Sequence, residues 1–166
     1  MKNIILVGMP GSGKSTLGVV LAKVIGYQFI DSDLLIQRQE GKLLAEIIKE
    51  KGIAEFVKIE EQVHSEMELS GSVIATGGSV IYGKTAMENL KRIGTVVYLE
   101  ISYQSLKKRL GDLKCRGVVL KEGQTLKQLY EERIPLYEKY ADITINEENK
   151  DIEKTLEVLV NELNRG

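Results

Sequence analysis

A chain of 166 residues suits one globular domain that can bury a core without disulfides or a structural metal. Its apolar content of 43%, charged content of 28% and net charge of −1 offer no basic excess for nucleic acid, and no apolar run approaches the roughly 20 residues that span a bilayer. A single cysteine cannot form an internal disulfide and a single histidine argues against a transition-metal site, so we expect a cytoplasmic protein that binds neither nucleic acid nor membrane.

Short apolar runs alternate with segments of helical periodicity along the first half of the chain. The pattern predicts strand 4–7, helix 14–25, strand 27–31, helices 34–40, 43–51 and 54–69, and strand 72–76. In helix 14–25 we expect Leu17, Val20, Leu21 and Val24 to face the core, with Gly26 ending the helix.

The second half continues this alternation. It predicts helix 84–92, strand 95–100, a helix from a Ser102 cap to about residue 110, helix 126–140, strand 142–146 and helix 151–163. Pro135 should kink or break helix 126–140. The predicted fold is therefore α/β, a single domain over residues 1–166 with a five-stranded parallel sheet covered by helices on both faces. Ligands of such sheets bind at the carboxyl ends of the strands.

The stretch GMPGSGKST, residues 8–16, lies between the first predicted strand and the first predicted helix. It matches the pattern GxxxxGK(S/T), in which glycines let backbone N–H groups surround phosphate oxygens and the helix N-terminus adds a positive dipole. Lysine in this pattern reaches the β and γ phosphates, and the serine hydroxyl is a Mg²⁺ ligand. The predicted nucleotide-binding residues here are Gly11, Ser12, Gly13, Lys14, Ser15 and Thr16.

The second predicted strand ends in FIDSD, which carries Asp31 and Asp33. In an extended chain these two carboxylates point the same way, so one can orient Mg²⁺-bound water while the other orients an acceptor hydroxyl. The alternative is structural, since Ser32 or Asp33 can cap the helix that follows.

Residues 111–124 carry three glycines and little periodicity, which predicts a mobile loop. Lys114, Arg116 and Lys121 make this loop a basic flap that could close over a transferring phosphate and exclude water. A solvated surface loop is the other interpretation.

The ordered motifs GMPGSGKST, FIDSD, EFVKIEE, ATGGS, KCRG and ERIPLYEKYAD resemble the shikimate kinase family along nearly the whole chain. The resemblance implies a P-loop kinase fold with a mobile lid, and phosphoryl transfer that depends on ATP and Mg²⁺. The implied reaction converts shikimate to shikimate 3-phosphate. The resemblance further implies that the protein is a monomer and that its binding partner is a small hydroxylated substrate.

The resemblance also implies residue roles. Ser15 and Asp31 look like the magnesium pair, Arg109 like the arginine beside the adenine, and Arg116 like a lid arginine that acts in catalysis with Lys14. A helical segment at about 32–70 is implied to bind the acceptor, and it contains the catalytic Asp33. Beyond that segment, the backbone of Gly77 and Gly78 is implied to face the acceptor, and Arg133 to bind its carboxylate. From the residues alone, Arg133 could equally pair with neighbouring surface glutamates.

Two departures affect the acceptor site. Val57 occupies the place of a family arginine that grips the shikimate carboxylate, and Ser79 replaces a third consecutive glycine. In the lid, Gly117 stands where the family has proline. The acceptor could therefore be another polyol or hydroxy acid. A different hypothesis is that the protein is a regulatory module that binds a nucleotide without transferring phosphate. We expect His64 on the helix surface, on the side that carries Val57.

Overall fold

The computed structural model describes residues 1–111 and 120–166. Arg116 and most of the predicted lid at 111–124 therefore lie outside the described residues. The strands are β1 (Asn3–Val7), β2 (Gln28–Asp31), β3 (Ser72–Ala75), β4 (Gly94–Glu100) and β5 (Ile143–Asn146). The α-helices are α1 (Lys14–Ile25), α2 (Ser32–Glu40), α3 (Leu44–Lys51), α4 (Ile53–Ser65), α5 (Lys84–Ile93), α6 (Tyr103–Leu110), α7 (Leu126–Tyr140) and α8 (Ile152–Arg165), and a 3₁₀ helix spans Val80–Tyr82.

The five strands form one parallel sheet in the order β2-β3-β1-β4-β5, which confirms the predicted fold class. The central strand β1 is buried along its whole length, since it pairs with β3 on one side and β4 on the other. The loop that follows β1 therefore emerges at the middle of the sheet's carboxyl edge. None of the helices in residues 1–111 and 120–166 is long and apolar enough to cross a membrane.

The two faces of the sheet carry separate apolar cores, because successive strand residues point to opposite sides. Ile5 and Val7 pack in one core, which also holds Tyr137 of α7. Ile4 and Leu6 pack in the other core with side chains from α1 and α8. A smaller cluster of Ile36, Ile47, Phe56 and Ile59 joins helices α2, α3 and α4 into one unit beside the carboxyl ends of β2 and β3.

Helix α1 faces the sheet differently from the prediction. Val20 and Val24 are 36% and 58% exposed, so the expectation that they point inward is wrong. The buried face centres on Gly18, where an added Cβ would lie 2.7 Å from the ring of Phe29. The glycine lets the helix approach β2 closely, and that contact decides which face is buried.

Helix α4 ends at Ser65, four residues before the predicted end. The side-chain amide of Asn89 on α5 donates to the backbone carbonyls of His64 and Met67, at 2.8 and 2.9 Å, and so satisfies groups at this terminus. His64 itself is fully buried, so its predicted surface position is wrong; its Nδ1 lies 2.7 Å from the Glu60 carbonyl oxygen. Pro135 does not break α7, which runs on to Tyr140.

A buried asparagine fixes the amino ends of three strands. Asn3 donates from Nδ2 to the carbonyls of Leu69 and Ile93, at 2.6 and 3.1 Å, and its Oδ1 accepts from the Ser72 N–H at 3.0 Å. The side chain is fully buried, so all three partners depend on it in place of water.

We expect Asn3→Leu to lower the free energy of unfolding by about 2–4 kcal/mol, because it leaves a buried N–H and two carbonyls without this partner. Denaturant unfolding measures the change. Asn164→Leu on the exposed end of α8 serves as the control and should change it by less than about 0.5 kcal/mol. An Asn3 variant as stable as the control would contradict this role.

Candidate active site

The loop between β1 and α1 has the backbone of a phosphate-binding loop. Gly8, Gly11 and Gly13 adopt φ angles of 152°, 82° and 89°, a region that side chains disfavour. Gly13 is also the N-cap of α1, so the helix N-terminus opens directly onto the loop. The residues predicted from the motif therefore lie around one concave backbone.

Lys14 lies within this loop with its side chain buried. Its Nζ donates to the carbonyl oxygens of Gly8 and Met9 at 2.8 and 2.9 Å. Burial lowers the pKa of Lys14 to about 8, although the charge of Asp33 acts in the opposite direction. At neutral pH the ammonium is still mainly charged, so a buried cation stands at the centre of the loop.

The two aspartates occupy different positions from the extended pair that the sequence predicts. Asp31 ends β2 and is itself the N-cap of α2, accepting from the Asp33 N–H at 3.0 Å, so the alternative in which Ser32 or Asp33 caps this helix is wrong. Its other carboxylate oxygen accepts from the Ser15 hydroxyl at 3.3 Å. Asp33 lies in the first turn of α2. Burial, with the charge of Asp31 adding to it and Lys14 opposing it, raises the pKa of Asp33 to about 6.

A cavity of about 320 Å³, here called the central cavity, lies between the phosphate-binding loop and helices α2 to α4. Its lining includes the loop residues from Gly11 to Thr16 apart from Ser12, which lies buried in the loop. It also includes these predicted site residues: Asp31, Asp33, Gly77, Gly78, Ser79 and Arg133. The structure thus brings the predicted phosphate, metal and acceptor residues to one space.

Gly77 and Gly78, which follow β3, are needed because neighbouring side chains approach their Cα atoms closely. Neither glycine adopts a positive φ angle. An added Cβ at Gly77 would lie 2.7 Å from Glu60 Oε2 and 2.9 Å from Asp33 Oδ1. At Gly78 it would lie 2.7 Å from an Arg133 guanidinium nitrogen. Ser79 has a φ of −91°, so a side chain causes no backbone strain there. The two glycines let two carboxyl groups and a guanidinium meet the backbone of one loop.

Glu60 is a site residue that the sequence analysis missed. It is 2% exposed and lines the central cavity; its Oε1 accepts from the Ser79 hydroxyl at 2.7 Å, while Oε2 has no hydrogen-bond partner within the described part of the chain. Burial, with a further contribution from Asp33, raises the pKa of Glu60 to about 7 against the opposing effects of Ser79 and Arg133. The sequence does contain one indication of this position: Glu60 follows Phe56 by four residues, so its carboxyl group lies on the buried side of α4.

Arg133 is 2% exposed, so the alternative of a surface partner for glutamates is wrong. Its Nε donates to the Tyr82 hydroxyl at 3.4 Å, and its guanidinium carbon lies 5.5 Å from the centre of the Tyr82 ring. Among residues 1–111 and 120–166, no carboxylate oxygen lies within 4.0 Å of this guanidinium. A buried positive charge therefore faces the central cavity without a paired anion in the described structure.

Two further cavities adjoin the central one. A cavity of about 690 Å³ lies on the other side of the phosphate-binding loop, and Arg109 lines it, donating to the Ser12 carbonyl at 3.4 Å and lying 3.8 Å from a Glu147 carboxylate oxygen. A cavity of about 510 Å³ is lined by Val57, and it shares Ser79 and Arg133 with the central cavity. Each of the three cavities is therefore lined by at least one predicted site residue. Arg116 lies outside the described residues.

Comparison with known proteins gives consistent matches. The family model of shikimate kinase matches residues 10–164. Shikimate kinase of Sulfurihydrogenibium sp. is 35% identical over 166 residues, which cover 99% of each chain, and that of Clostridium botulinum is 41% identical over 151 residues, or 88% of each. The solved structure of shikimate kinase from Acinetobacter baumannii in complex with shikimate has a TM-score of 0.86 at 33% identity, covering 99% of this chain and 94% of that one.

The raised pKa of Glu60 has a consequence for stability. Between about pH 4.5 and 7 the folded chain holds a proton on Glu60 that the unfolded chain releases, so stability falls as the pH rises through this window. We expect Glu60→Gln to remove that loss. Its free energy of unfolding relative to the parent should rise by about 2–3 kcal/mol from pH 5 to pH 8. Denaturant titrations at several pH values measure it, with the exposed Glu68→Gln as control. A pH-independent difference would contradict the assignment.

Proposed function

We propose that this chain, which belongs to the shikimate kinase family and is a small-molecule kinase, transfers the γ-phosphoryl group of ATP to a hydroxyl of shikimate. The observation that carries the choice of acceptor is the buried guanidinium of Arg133 beside the central cavity. An unpaired buried cation is costly, and an anionic ligand such as a carboxylate relieves that cost.

The phosphate-binding loop supports the nucleotide half of the proposal. Its positive-φ glycines and the start of α1 turn backbone N–H groups toward one space, and Lys14 places a cation inside it. When the β and γ phosphates bind, their oxygens can replace the carbonyls of Gly8 and Met9 as partners of the lysine. The neighbouring cavity that Arg109 lines suits the base of the nucleotide.

The donor set around Ser15 and Asp31 fits Mg²⁺. A hydroxyl and a carboxylate oxygen stand 3.3 Å apart, next to the phosphate-binding loop, and both are the hard oxygen ligands that this ion selects. When bound there, Mg²⁺ would neutralise charge on the phosphates. Asp31 is held for this role by its cap bond to the Asp33 N–H.

Asp33 is the group that we assign to the acceptor hydroxyl. With a pKa of about 6 its carboxylate is mainly ionised at neutral pH, so it can accept a hydrogen bond from the acceptor hydroxyl. It can take the hydroxyl proton as the hydroxyl oxygen bonds to the γ-phosphorus and the bond from that phosphorus to the departing ADP breaks. Arg133 would hold the carboxylate of shikimate at the far side of the cavity, and the backbone of Gly77 and Gly78 would border the ring. Two fixed points then orient the reacting hydroxyl.

Three expectations complete the proposal. Arg116 would close on the transferring phosphate, with the segment 111–124 acting as a lid. The protein would act in the cytoplasm, which its single cysteine supports, and as a monomer, which is what the family resemblance implies.

The direct test is consumption of ATP with and without shikimate, followed by a panel of small polyols and hydroxy acids. We expect turnover that depends on shikimate, and Asp33→Asn should lower kcat at least tenfold with nearly unchanged ATP affinity. Asp142→Asn is the matched control, since Asp142 lies at the opposite edge of the sheet and pairs with Lys91. Tight ATP binding without turnover on any acceptor would point instead to a regulatory module.

A second test uses Val57. Because Val57 and Arg133 line the same cavity, an arginine at position 57 should add a second cation near the shikimate carboxylate. We expect Val57→Arg to lower the KM for shikimate about tenfold or more, which matches one charge-assisted hydrogen bond. Val24→Arg on the exposed face of α1 is the control. An unchanged or raised KM would contradict the pose in which Arg133 binds the carboxylate.

A further inference from the structure

Glu147 is a buried carboxyl group that the proposed reaction does not use. It follows β5 directly, and its backbone is fixed because its N–H donates to the Glu100 carbonyl at 3.0 Å and its own carbonyl accepts from the Lys150 N–H at 3.2 Å. The residue is 8% exposed and lines the cavity of about 690 Å³ beside Arg109, here called the Arg109 cavity. An ionisable side chain is therefore held in the wall of a space large enough for a small molecule.

One oxygen of the Glu147 carboxyl group lacks a partner in the described structure. Its Oε2 is buried and accepts no hydrogen bond from residues 1–111 or 120–166. Arg109 Nη1 lies 3.8 Å from this oxygen and donates instead to the Ser12 carbonyl at 3.4 Å. A buried polar atom without a hydrogen bond is costly, so an N–H group of a ligand in the Arg109 cavity would relieve that cost.

The protonation of Glu147 decides which groups it can pair with. Burial raises the pKa of Glu147 to about 7; Glu148 adds to this rise, whereas Arg109 and Lys14 oppose it. The other charged residues that line the Arg109 cavity are all more exposed than Glu147: Lys150, Asp151 and Glu153. A substantial fraction of Glu147 is therefore protonated at neutral pH, and a protonated carboxyl group offers a donor and an acceptor side by side.

The position of the carboxyl group favours the protonated form further when a nucleotide binds. Its Oε1 would lie 3.9 Å from a Cβ added at Gly13, the residue at the start of α1 in the phosphate-binding loop. Bound phosphates would bring negative charge close to Glu147, and a like charge disfavours the ionised carboxylate. The group that a bound nucleotide meets is therefore a neutral carboxyl group.

Among the purines, adenine matches a neutral carboxyl group. Adenine presents an amino N–H donor beside the acceptor N7, whereas guanine and other 6-oxo purines present two acceptors, O6 and N7. A neutral carboxyl group can accept from the amino group and donate to N7, but it cannot satisfy two neighbouring acceptors. Leu17 and Ile152 also line the Arg109 cavity, and they supply apolar surface for the faces of a base.

We propose that Glu147 selects the base of the nucleotide, with its carboxyl group accepting from the amino group of adenine and donating to N7 in the Arg109 cavity. The inference rests on the proposed function, in which the base of ATP occupies this cavity. Stacking against the Arg109 guanidinium does not separate one purine from another, because every base has a π-face. The hydrogen bonds of Glu147 supply that discrimination.

The test compares the dissociation constants of ADP and inosine diphosphate for the full chain, by calorimetry with Mg²⁺ slightly below neutral pH. Inosine diphosphate carries an oxygen where ADP carries the amino group. The ratio of the two constants is the readout, because the phosphates, the ribose and any change in folding affect both nucleotides alike. We expect the parent protein to bind inosine diphosphate about tenfold more weakly than ADP.

Three variants separate the hydrogen bonds of Glu147 from its charge and size. Glu147→Met keeps the length of the side chain without its polar groups, and it should lower the ratio about fivefold or more. Glu147→Gln has a donor and an acceptor and no charge, so it should keep the ratio of the parent. Glu68→Met, at an exposed position after α4, is the control and should keep the ratio as well.

Three results would overturn the role of Glu147: equal binding of both nucleotides by the parent, an unchanged ratio in Glu147→Met, or a ratio in Glu147→Gln as low as in Glu147→Met. Turnover of ATP with shikimate is measured on the same preparation. If ADP binds and turnover proceeds while the ratio does not respond, only the role of Glu147 fails. If the parent binds no ADP, the nucleotide half of the proposed function fails and this inference fails with it.

Discussion

The burial of charge around one small space is the constraint on which the site depends. Lys14 and Arg133 place two cations at the central cavity, and Asp33 and Glu60 place two carboxyl groups there. Burial is the first cause of the shifted pKa of Lys14, Asp33 and Glu60. Charges removed from water interact strongly and are expensive to leave unpaired, so the site is built to receive a ligand that brings its own charges.

The backbone accommodates this concentration of charge through missing side chains. Gly77 allows Glu60 and Asp33 to approach one point of the loop after β3, and Gly78 does the same for Arg133. The sheet brings these residues together because the loops after β1, β2 and β3 all emerge at its carboxyl edge. Topology thus selects the neighbours, and the two glycines determine how closely those neighbours can pack.

Local sequence patterns were enough to predict the parallel sheet and the residues of the phosphate-binding loop, because a strand, a glycine loop and a helix are contiguous in the chain. The Asp31–Ser15 pair was implied by the resemblance to the shikimate kinase family, and the structure places their side-chain oxygens 3.3 Å apart. The contact between Glu60 and Ser79 could not be predicted in this way, since it joins α4 to a loop 19 residues away. The burial of His64 depends likewise on α5, and the inward face of α1 depends on the ring of Phe29, which periodicity alone does not reveal.

The two departures in the acceptor site lie on either side of Glu60. Val57 precedes it by three residues on α4, where a basic side chain would be close enough to pair with the carboxylate, and Ser79 donates to it from the facing loop. A hydroxyl is a neutral donor and stabilises the ionised carboxylate less than a cation would. Burial is the main cause of the raised pKa of Glu60, the hydrogen bond from Ser79 only partly opposes it, and Val57 lines the apolar cavity beside Arg133. Glu60 is therefore protonated more readily than an exposed carboxyl group, because a neutral hydroxyl offsets only part of the cost of burying its charge.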